Sequence, residues 1–377
     1  MELRHIDFYV KRWYNVKKLK LYGGFIMTNI ENYISLVRRK GYEKVPIDFI
    51  MCPHLSRKFN EYVKESGFEY KKSSVDIPDL APKNASKEDF LKYYSHSFKT
   101  GTRIDNYGVA HEPGSEAAFH MTKMYHPMEN FDSVEQVAEY PLPDYAGADP
   151  QKQVDAVREA HSADLIAVGN MQITVWERSW YMRGMENLMA DMMLDDPIAN
   201  AILDRVTDVS VTRAESYARS GVDVLFLGDD IGMQQTIMMS EELYCQWLKP
   251  RLKKVIDAAR AIKPDIIVFY HSCGFVTPMI PHLIEAGIDV LDPVQPECMN
   301  FADIHREFGD RLSFHGTIGT QTTMPFGTPE DVRREVFKNL EIAGEQGGLL
   351  VAPTHILEPE VPVENLVAYI NACRDFK

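Results

Sequence analysis

One local pattern recurs from about residue 150 to the C-terminus and limits the folds open to this chain. A helix is followed by a glycine, then by a short apolar strand, and the strand ends in polar residues. The two clearest copies are 220–225 (SGVDVL) and 286–291 (AGIDVL). Glycine favours the left-handed position that ends a helix, and a short apolar run predicts a buried strand. Repeats of this unit predict a parallel sheet covered by helices.

Polar residues gathered where several strands end favour an α/β fold of the (β/α)8 barrel type, because barrel active sites lie at that rim. The sequence predicts one barrel domain over 27–377, with an elaborated N-terminal part at 27–150 and the core repeats at 151–377. Residues 1–26 are basic and aromatic and are interpreted as an N-terminal extension. A first strand is expected at Val45–Ile50. The alternative is a doubly wound open sheet, but no Gly-x-Gly-x-x-Gly follows any predicted strand.

Two further regions of the sequence are predicted to be helical. A helix is predicted to begin after Ser240, a good N-cap, and to run toward Ile262. Pro250 is expected to kink or divide it. Another helix is predicted within Trp176–Leu194.

Charge and cysteine usage argue against several classes of function. The net charge is −14, from 41 basic and 55 acidic side chains, which argues against nucleic acid or an anionic membrane surface as the main partner. The five cysteines are scattered, and no apolar run reaches the length that a membrane span needs. These features predict a cytoplasmic protein with a small-molecule substrate. They do not predict the oligomeric state.

The strand end at His271-Ser-Cys273-Gly offers the clearest chemistry. In extended backbone the side chains of His271 and Cys273 leave on the same side, and nitrogen with thiolate sulfur is a typical zinc donor set. His355 after the last strand would be a third ligand, which leaves one position open as in a catalytic zinc site. Cys298 is an alternative third ligand. The competing interpretation is structural, because a buried cysteine commonly packs as a small apolar residue.

Other predicted strand ends and nearby loops add polar side chains to the same rim. Asp229 and Asp230 follow one strand, and Glu177 lies in the helical region after another. These three acids are the candidate catalytic residues, with solvation or helix capping as the alternative for the aspartate pair. The candidate substrate ligands are Asn170, Gln295, His315, Arg183 and Asp105.

Several segments resemble the uroporphyrinogen decarboxylase superfamily, which includes true decarboxylases and cobamide-dependent methyltransferases. The resemblance runs from about Asp144 to the C-terminus and implies a (β/α)8 barrel. The segments that carry it are 271–274 (HSCG), 287–296 (GIDVLDPVQP), 308–316 (FGDRLSFHG), 352–355 (APTH) and 361–365 (VPVEN).

The two branches of the superfamily imply different sites. True decarboxylases carry an Arg-Gln-Ala-Gly loop for a substrate with many carboxylates, whereas the matching region 51–58 has a single arginine. Few guanidinium groups suit a polyanion poorly. In that branch His355 would match a late histidine and Asp105 would loosely match an aspartate. The methyltransferases carry a His-x-Cys pair, matched by His271 and Cys273, and a later cysteine, whose place is taken here by His355.

The resemblance therefore implies a methyltransferase that moves a methyl group between a small substrate or thiol and a corrinoid. The corrinoid would be carried by a partner protein, and one zinc ion would activate the thiol. Two alternatives remain open. One is a uroporphyrinogen decarboxylase of porphyrin biosynthesis, and the other is a barrel that binds a ligand without catalysis.

Overall fold

The computed structural model describes residues 27–83, 85–114 and 122–376, so the predicted extension at 1–26 lies outside the described residues. The strands, in chain order, are β1 (Ser74–Ile77), β2 (Arg103–Ile104), β3 (Ala110–Glu112), β4 (Lys123–Tyr125), β5 (Ile166–Gln172), β6 (Val224–Gly228), β7 (Ile267–His271), β8 (Val290–Val294), β9 (Ser313–Ile318) and β10 (Leu349–Pro353). Strands β2, β3 and β4 form a small antiparallel sheet, and the other seven form one parallel sheet.

Helices occupy most of the connections between the parallel strands. In chain order they are α1 (Asn29–Val37), α2 (Pro53–Ser66), α3 (Lys87–Leu91), α4 (Val134–Glu139), α5 (Gln151–Ser162), α6 (Trp176–Arg183), α7 (Met185–Met193), α8 (Pro197–Ser220), α9 (Glu241–Trp247), α10 (Lys249–Ile262), α11 (Ile280–Ala286), α12 (Phe301–Phe308), α13 (Thr323–Phe326), α14 (Pro329–Ala343) and α15 (Val363–Asp375), with a short 3-10 helix at Thr277–Met279 before α11. None of the helices in the described part of the chain combines the length and hydropathy that crossing a bilayer requires.

The parallel sheet curls so that its two edges approach one extended segment. Its strand order is β1-β5-β6-β7-β8-β9-β10. Residues 45–51 lie beside both edges of the sheet. The amide of Ser73, just before β1, donates to the Ile47 carbonyl, and the amide of Leu357, after β10, donates to the Ile50 carbonyl. The predicted first strand, Val45–Ile50, does not form a regular strand. The segment is extended and closes the eighth position of the barrel, with one isolated bridge between Met51 and Leu357. The predicted (β/α)8 barrel is confirmed.

An apolar layer fills the barrel interior, and a layer of polar residues lies above it. Tyr33 of α1 packs with inward side chains that include Val168 and Phe269. Side chains alternate across a strand, so the residues two positions later, Asn170 and His271, also face the interior. For the same reason Asp292, two positions after Val290 in β8, and His315, two positions after Ser313 in β9, face the interior. The barrel thus carries a polar layer at the carboxyl ends of its strands.

Helix α14 begins with a complete capping box. The Thr328 hydroxyl accepts a hydrogen bond from the Asp331 amide at 3.2 Å, and the Thr328 amide donates to the Asp331 carboxylate at 2.9 Å. Thr328→Ala is expected to lower the free energy of unfolding by about 0.5–2 kcal/mol, because an amide of the first turn loses its acceptor. Urea denaturation measures this loss. Thr328→Ser keeps the acceptor and should stay near wild type, and an unchanged midpoint for the alanine variant would contradict the capping role.

Candidate active site

The carboxyl ends of β6 and β7 bring three possible metal ligands together. His271 ends β7, Cys273 follows two residues later, and Asp230 lies two residues beyond β6. Nε2 of His271 is 3.4 Å from Sγ of Cys273 and 3.7 Å from Oδ1 of Asp230. One donor atom of each residue lies within 4.8 Å of those of the other two. Nitrogen, thiolate and carboxylate donors at these separations fit zinc.

Tight backbone turns set the positions of two of these donors. Gly274 has a φ of +86°, and a Cβ there would lie 2.6 Å from the Met233 carbonyl oxygen, so the close approach of the two loops requires glycine. The Cys273 amide donates to Oδ1 of Asp230 at 2.7 Å, and the Gly274 amide donates to Oε1 of Gln295 at 3.0 Å. Gln295, predicted as a substrate ligand, therefore holds the loop that carries Cys273.

Asp292 orients the imidazole of His271. Its Oδ2 accepts a hydrogen bond from Nδ1 of His271 at 2.6 Å, and its Oδ1 accepts one from Nδ1 of His315 at 2.5 Å. Burial opposes ionisation, but the two imidazoles hold the pKa of this carboxyl below its usual range. With Nδ1 engaged, Nε2 of His271 is directed toward Cys273 and Asp230. A carboxylate behind a histidine is the usual support of a metal ligand.

The charges around the three donors favour a cation. Burial lowers the pKa of His271, but the neighbouring Cys273 and Asp292 raise it well above its usual range. Burial raises the pKa of the Cys273 thiol. Metal binding would release protons from both groups, because ligands bind in their deprotonated form. The site thus has the donor chemistry and the excess of acidic groups that a divalent ion requires.

Glu177 lies directly behind Asp230. Its Oε2 accepts a hydrogen bond from the Asp230 amide at 3.1 Å, and its Oε1 accepts one from the Tyr181 hydroxyl at 2.9 Å. Burial and the negative charge of Asp230 raise the pKa of Glu177. Glu177 therefore holds a proton more readily than an exposed glutamate would, and its carboxylate contacts the backbone of Asp230.

Asp229 has a different environment from its neighbour. It is 3% exposed, and its carboxylate accepts hydrogen bonds from the backbone amides of Thr174, Val175 and Glu177 at 3.2, 3.0 and 2.9 Å. Burial and the charge of Glu177 raise the pKa of Asp229 to about 8, although the amide donors lower it. Asp229 caps α6 from another part of the chain and so positions Glu177, which is the capping role left open by the sequence.

Two further interior residues continue the polar layer away from Cys273. Nδ2 of Asn170 donates to Asp76 at 3.2 Å, and Nε2 of His315 lies 3.5 Å from Oδ2 of Asp48. Asn170 and His315 were predicted from their strand ends. Asp48 and Asp76 were missed, as was Asp292. The available signal was an aspartate at an inward position of an otherwise apolar run.

Two of the predicted substrate ligands, Arg183 and Asp105, form ion pairs with other side chains of the protein. Arg183 is 7% exposed, donates from Nε to Asp191 at 2.8 Å, and donates from Nη1 to three backbone carbonyls. Asp105 lies between β2 and β3, where it accepts a hydrogen bond from Arg178 at 2.9 Å and faces His111 at 3.5 Å. The first pair connects α6 to α7, and the second connects α6 to the turn between β2 and β3.

His355 lies beside the donors but outside the group that they form. Its ring centroid is 6.4 Å from that of His271. Among the described residues, only Asp230, His271 and Cys273 form a group of three with donor atoms within 4.8 Å of one another. Asp230, expected from the sequence to be a catalytic acid, is the third member of this group, and ligation by His355 stays a prediction.

Comparisons with known proteins agree with this architecture. Over 207 residues the chain is 28% identical to a methylated-thiol–coenzyme M methyltransferase of Methanosarcina mazei, covering 52% of this chain and 49% of that protein. Over 175 residues it is 24% identical to a uroporphyrinogen decarboxylase of Pseudoalteromonas translucida, covering 46% and 48%. The chain therefore spans about half the length of these curated relatives.

A solved methyltransferase from Methanosarcina mazei shares the fold. It superposes with a TM-score of 0.65 at 16% identity, covering 92% of this chain and 98% of that one. The family model for uroporphyrinogen decarboxylase (URO-D) matches residues 107–376, well over half of the sequence. The chain is a member of the uroporphyrinogen decarboxylase (URO-D) family.

Proposed function

We propose that this protein is a zinc-assisted methyltransferase that moves a methyl group between a small substrate or thiol and a corrinoid carried by a partner protein. The observation that carries the proposal is the group formed by Asp230, His271 and Cys273, with Asp292 behind the histidine. Bound zinc lowers the pKa of a coordinated thiol and so maintains a thiolate nucleophile at neutral pH.

The residues of the chain take distinct roles in this proposal. Asp230, His271 and Cys273 would hold the ion, and the thiol would bind it as a further ligand. Glu177, with its raised pKa, accepts or delivers the proton that accompanies thiol exchange. Asp229 positions Glu177 through the first turn of α6.

The relative named for a methylated thiol and coenzyme M supports a thiol as one reactant, and its 28% identity makes this the better supported branch. The acidic groups at the barrel mouth support the same choice. Asp76 lies on β1, Asp48 lies in the extended segment beside β1, and Asp230 follows β6. Their negative charges would repel a substrate with many carboxylates. Uroporphyrinogen decarboxylation is therefore the less well supported activity.

The proposal is tested with the purified full chain and two probes, methylcobalamin and 2-mercaptoethanesulfonate. We expect about one zinc per chain by elemental analysis and a thiol-dependent loss of the methylcobalamin spectrum. Failure to bind added zinc would overturn the proposal. Turnover of uroporphyrinogen by metal-free protein would establish the decarboxylase instead.

Asp292→Asn is expected to weaken zinc binding by about 10–100-fold, the usual effect of removing a carboxylate behind a metal ligand. The asparagine oxygen can accept from only one side, so its amide would face the nitrogen of either His271 or His315. Competition against a chromophoric chelator measures the affinity. His315→Gln, which leaves the Asp292–His271 contact intact, is the matched control, and an equal loss in both variants would contradict the orienting role.

A further inference from the structure

A second arrangement of nucleophile and base lies outside the barrel, between helices α9 and α11. Sγ of Cys245 is 3.4 Å from Nδ1 of His282, and Nε2 of His282 is 3.0 Å from Oε2 of Glu241. Glu241 and Cys245 are four residues apart on α9, so both face the same side of that helix. His282 comes from the first turn of α11 and reaches both of them.

These three side chains belong to the helical layer. Cys245 is partly buried and packs against the core that the outward faces of the strands share with the helices. His282 and Glu241 are more open, with 21% and 48% of their side chains exposed. A small molecule can therefore approach the thiol from solvent without entering the barrel.

The order thiol, imidazole, carboxylate is the one that activates a nucleophile. The base lies within hydrogen-bond reach of the nucleophile, and a third group orients the base. Nε2 of His282 donates to Glu241, which leaves Nδ1 free to accept the thiol proton. Burial raises the pKa of the Cys245 thiol, so the resting thiol keeps its proton and its reactivity depends on that transfer.

We propose that Cys245 undergoes reversible thiol–disulfide exchange with small-molecule disulfides, with His282 as the general base and Glu241 as a positioning residue. The thiol proton passes to Nδ1 of His282 while Sγ attacks one sulfur of the disulfide. The new bond joins Sγ to that sulfur, the original sulfur–sulfur bond breaks, and the other half leaves as a thiolate that takes the proton from His282. The site is independent of the proposed methyl transfer.

Charged neighbours determine which probe to use. Lys249, the first residue of α10, forms an ion pair with Glu285 of α11, and Glu242 and Glu241 add negative charge near the thiol. The whole chain also has a net charge of −14. A neutral disulfide, bis(2-hydroxyethyl) disulfide, separates the chemistry of the thiol from attraction or repulsion of the probe.

The test follows modification of each cysteine in the full chain by peptide mass spectrometry. Cys298 is the internal control, because burial and Glu297 also raise the pKa of its thiol and it too is partly buried. We expect Cys245 to react about 100-fold faster than Cys298, the lower end of general-base assistance. His282→Gln should reduce the Cys245 rate to that of Cys298, and Glu241→Gln should reduce it partly and change its pH profile.

Equal rates at Cys245 and Cys298, or an unchanged Cys245 rate in His282→Gln, would overturn the proposal. The buried Cys52 and Cys373 report whether a variant keeps its fold. Should His282→Gln expose them, the comparison passes to Glu241→Gln, in which the imidazole remains. An unchanged Cys245 rate and pH profile there would count against the proposal.

Discussion

Replacing Cys273 with alanine is expected to lower zinc affinity by more than about 100-fold and to abolish transfer of a methyl group to the thiol probe. Loss of a supporting residue alone costs up to about 100-fold, and here a donor itself is removed. The remaining Asp230 and His271 would supply one oxygen and one nitrogen, too few for a stable tetrahedral site. Elemental analysis and chelator competition measure the first effect, and the methylcobalamin spectrum measures the second.

Cys298→Ala is the matched control for this variant. Cys298 is also a partly buried thiol, and it was the alternative ligand considered from the sequence. It lies outside the group formed by Asp230, His271 and Cys273 among the described residues, so its removal should leave zinc content and transfer near wild type. The reverse result, with zinc lost in Cys298→Ala and kept in Cys273→Ala, would place the metal on a different set of residues.

The sequence predicted the barrel because its signals are local and repeated. Glycine caps and short apolar strands do not depend on distant contacts. Pro250 likewise divides its helix as expected, since α9 ends at Trp247 and α10 begins at Lys249. The region 176–194 was harder, because it contains two helices. They meet at Gly184, whose φ is +89°, and a single glycine in a helical pattern is often tolerated.

The site was only partly predictable, for reasons that Asp229 and Asp230 illustrate. Adjacent residues in extended backbone point in opposite directions, so one carboxylate is buried beneath α6 and the other faces His271. Sequence places both at the same strand end but cannot say which one turns inward. The pairing of His271 with Cys273 was predictable from the same alternation. Asp230 as a third donor depends on the turn at Gly232 and Gly274, which only the folded chain defines.

Replacing the buried Arg183 is expected to cause a large loss in the free energy of unfolding. Arg183→Met is expected to destabilise the protein by about 3–5 kcal/mol, the cost of leaving one partner of a buried ion pair uncompensated. Asp191, itself 9% exposed, would lose its counter-ion, and the carbonyls of Met128 and Phe131 would lose a donor at 2.8 Å each. The urea denaturation midpoint measures the loss.

A second substitution separates the loss of stability due to the unpaired Asp191 charge from the loss due to the carbonyls without a donor. Asp191→Leu added to Arg183→Met removes the stranded charge, so the double variant should recover part of the stability, but not the part due to the carbonyls. Arg306→Met is the control, because its pair with Asp303 is exposed and should contribute at most about 1 kcal/mol. If Arg183→Met instead unfolds at the wild-type midpoint and raises KM, Arg183 contacts the substrate, as the sequence suggested. A lower midpoint with unchanged KM assigns it to the architecture that holds α6, and with it Glu177, against the barrel.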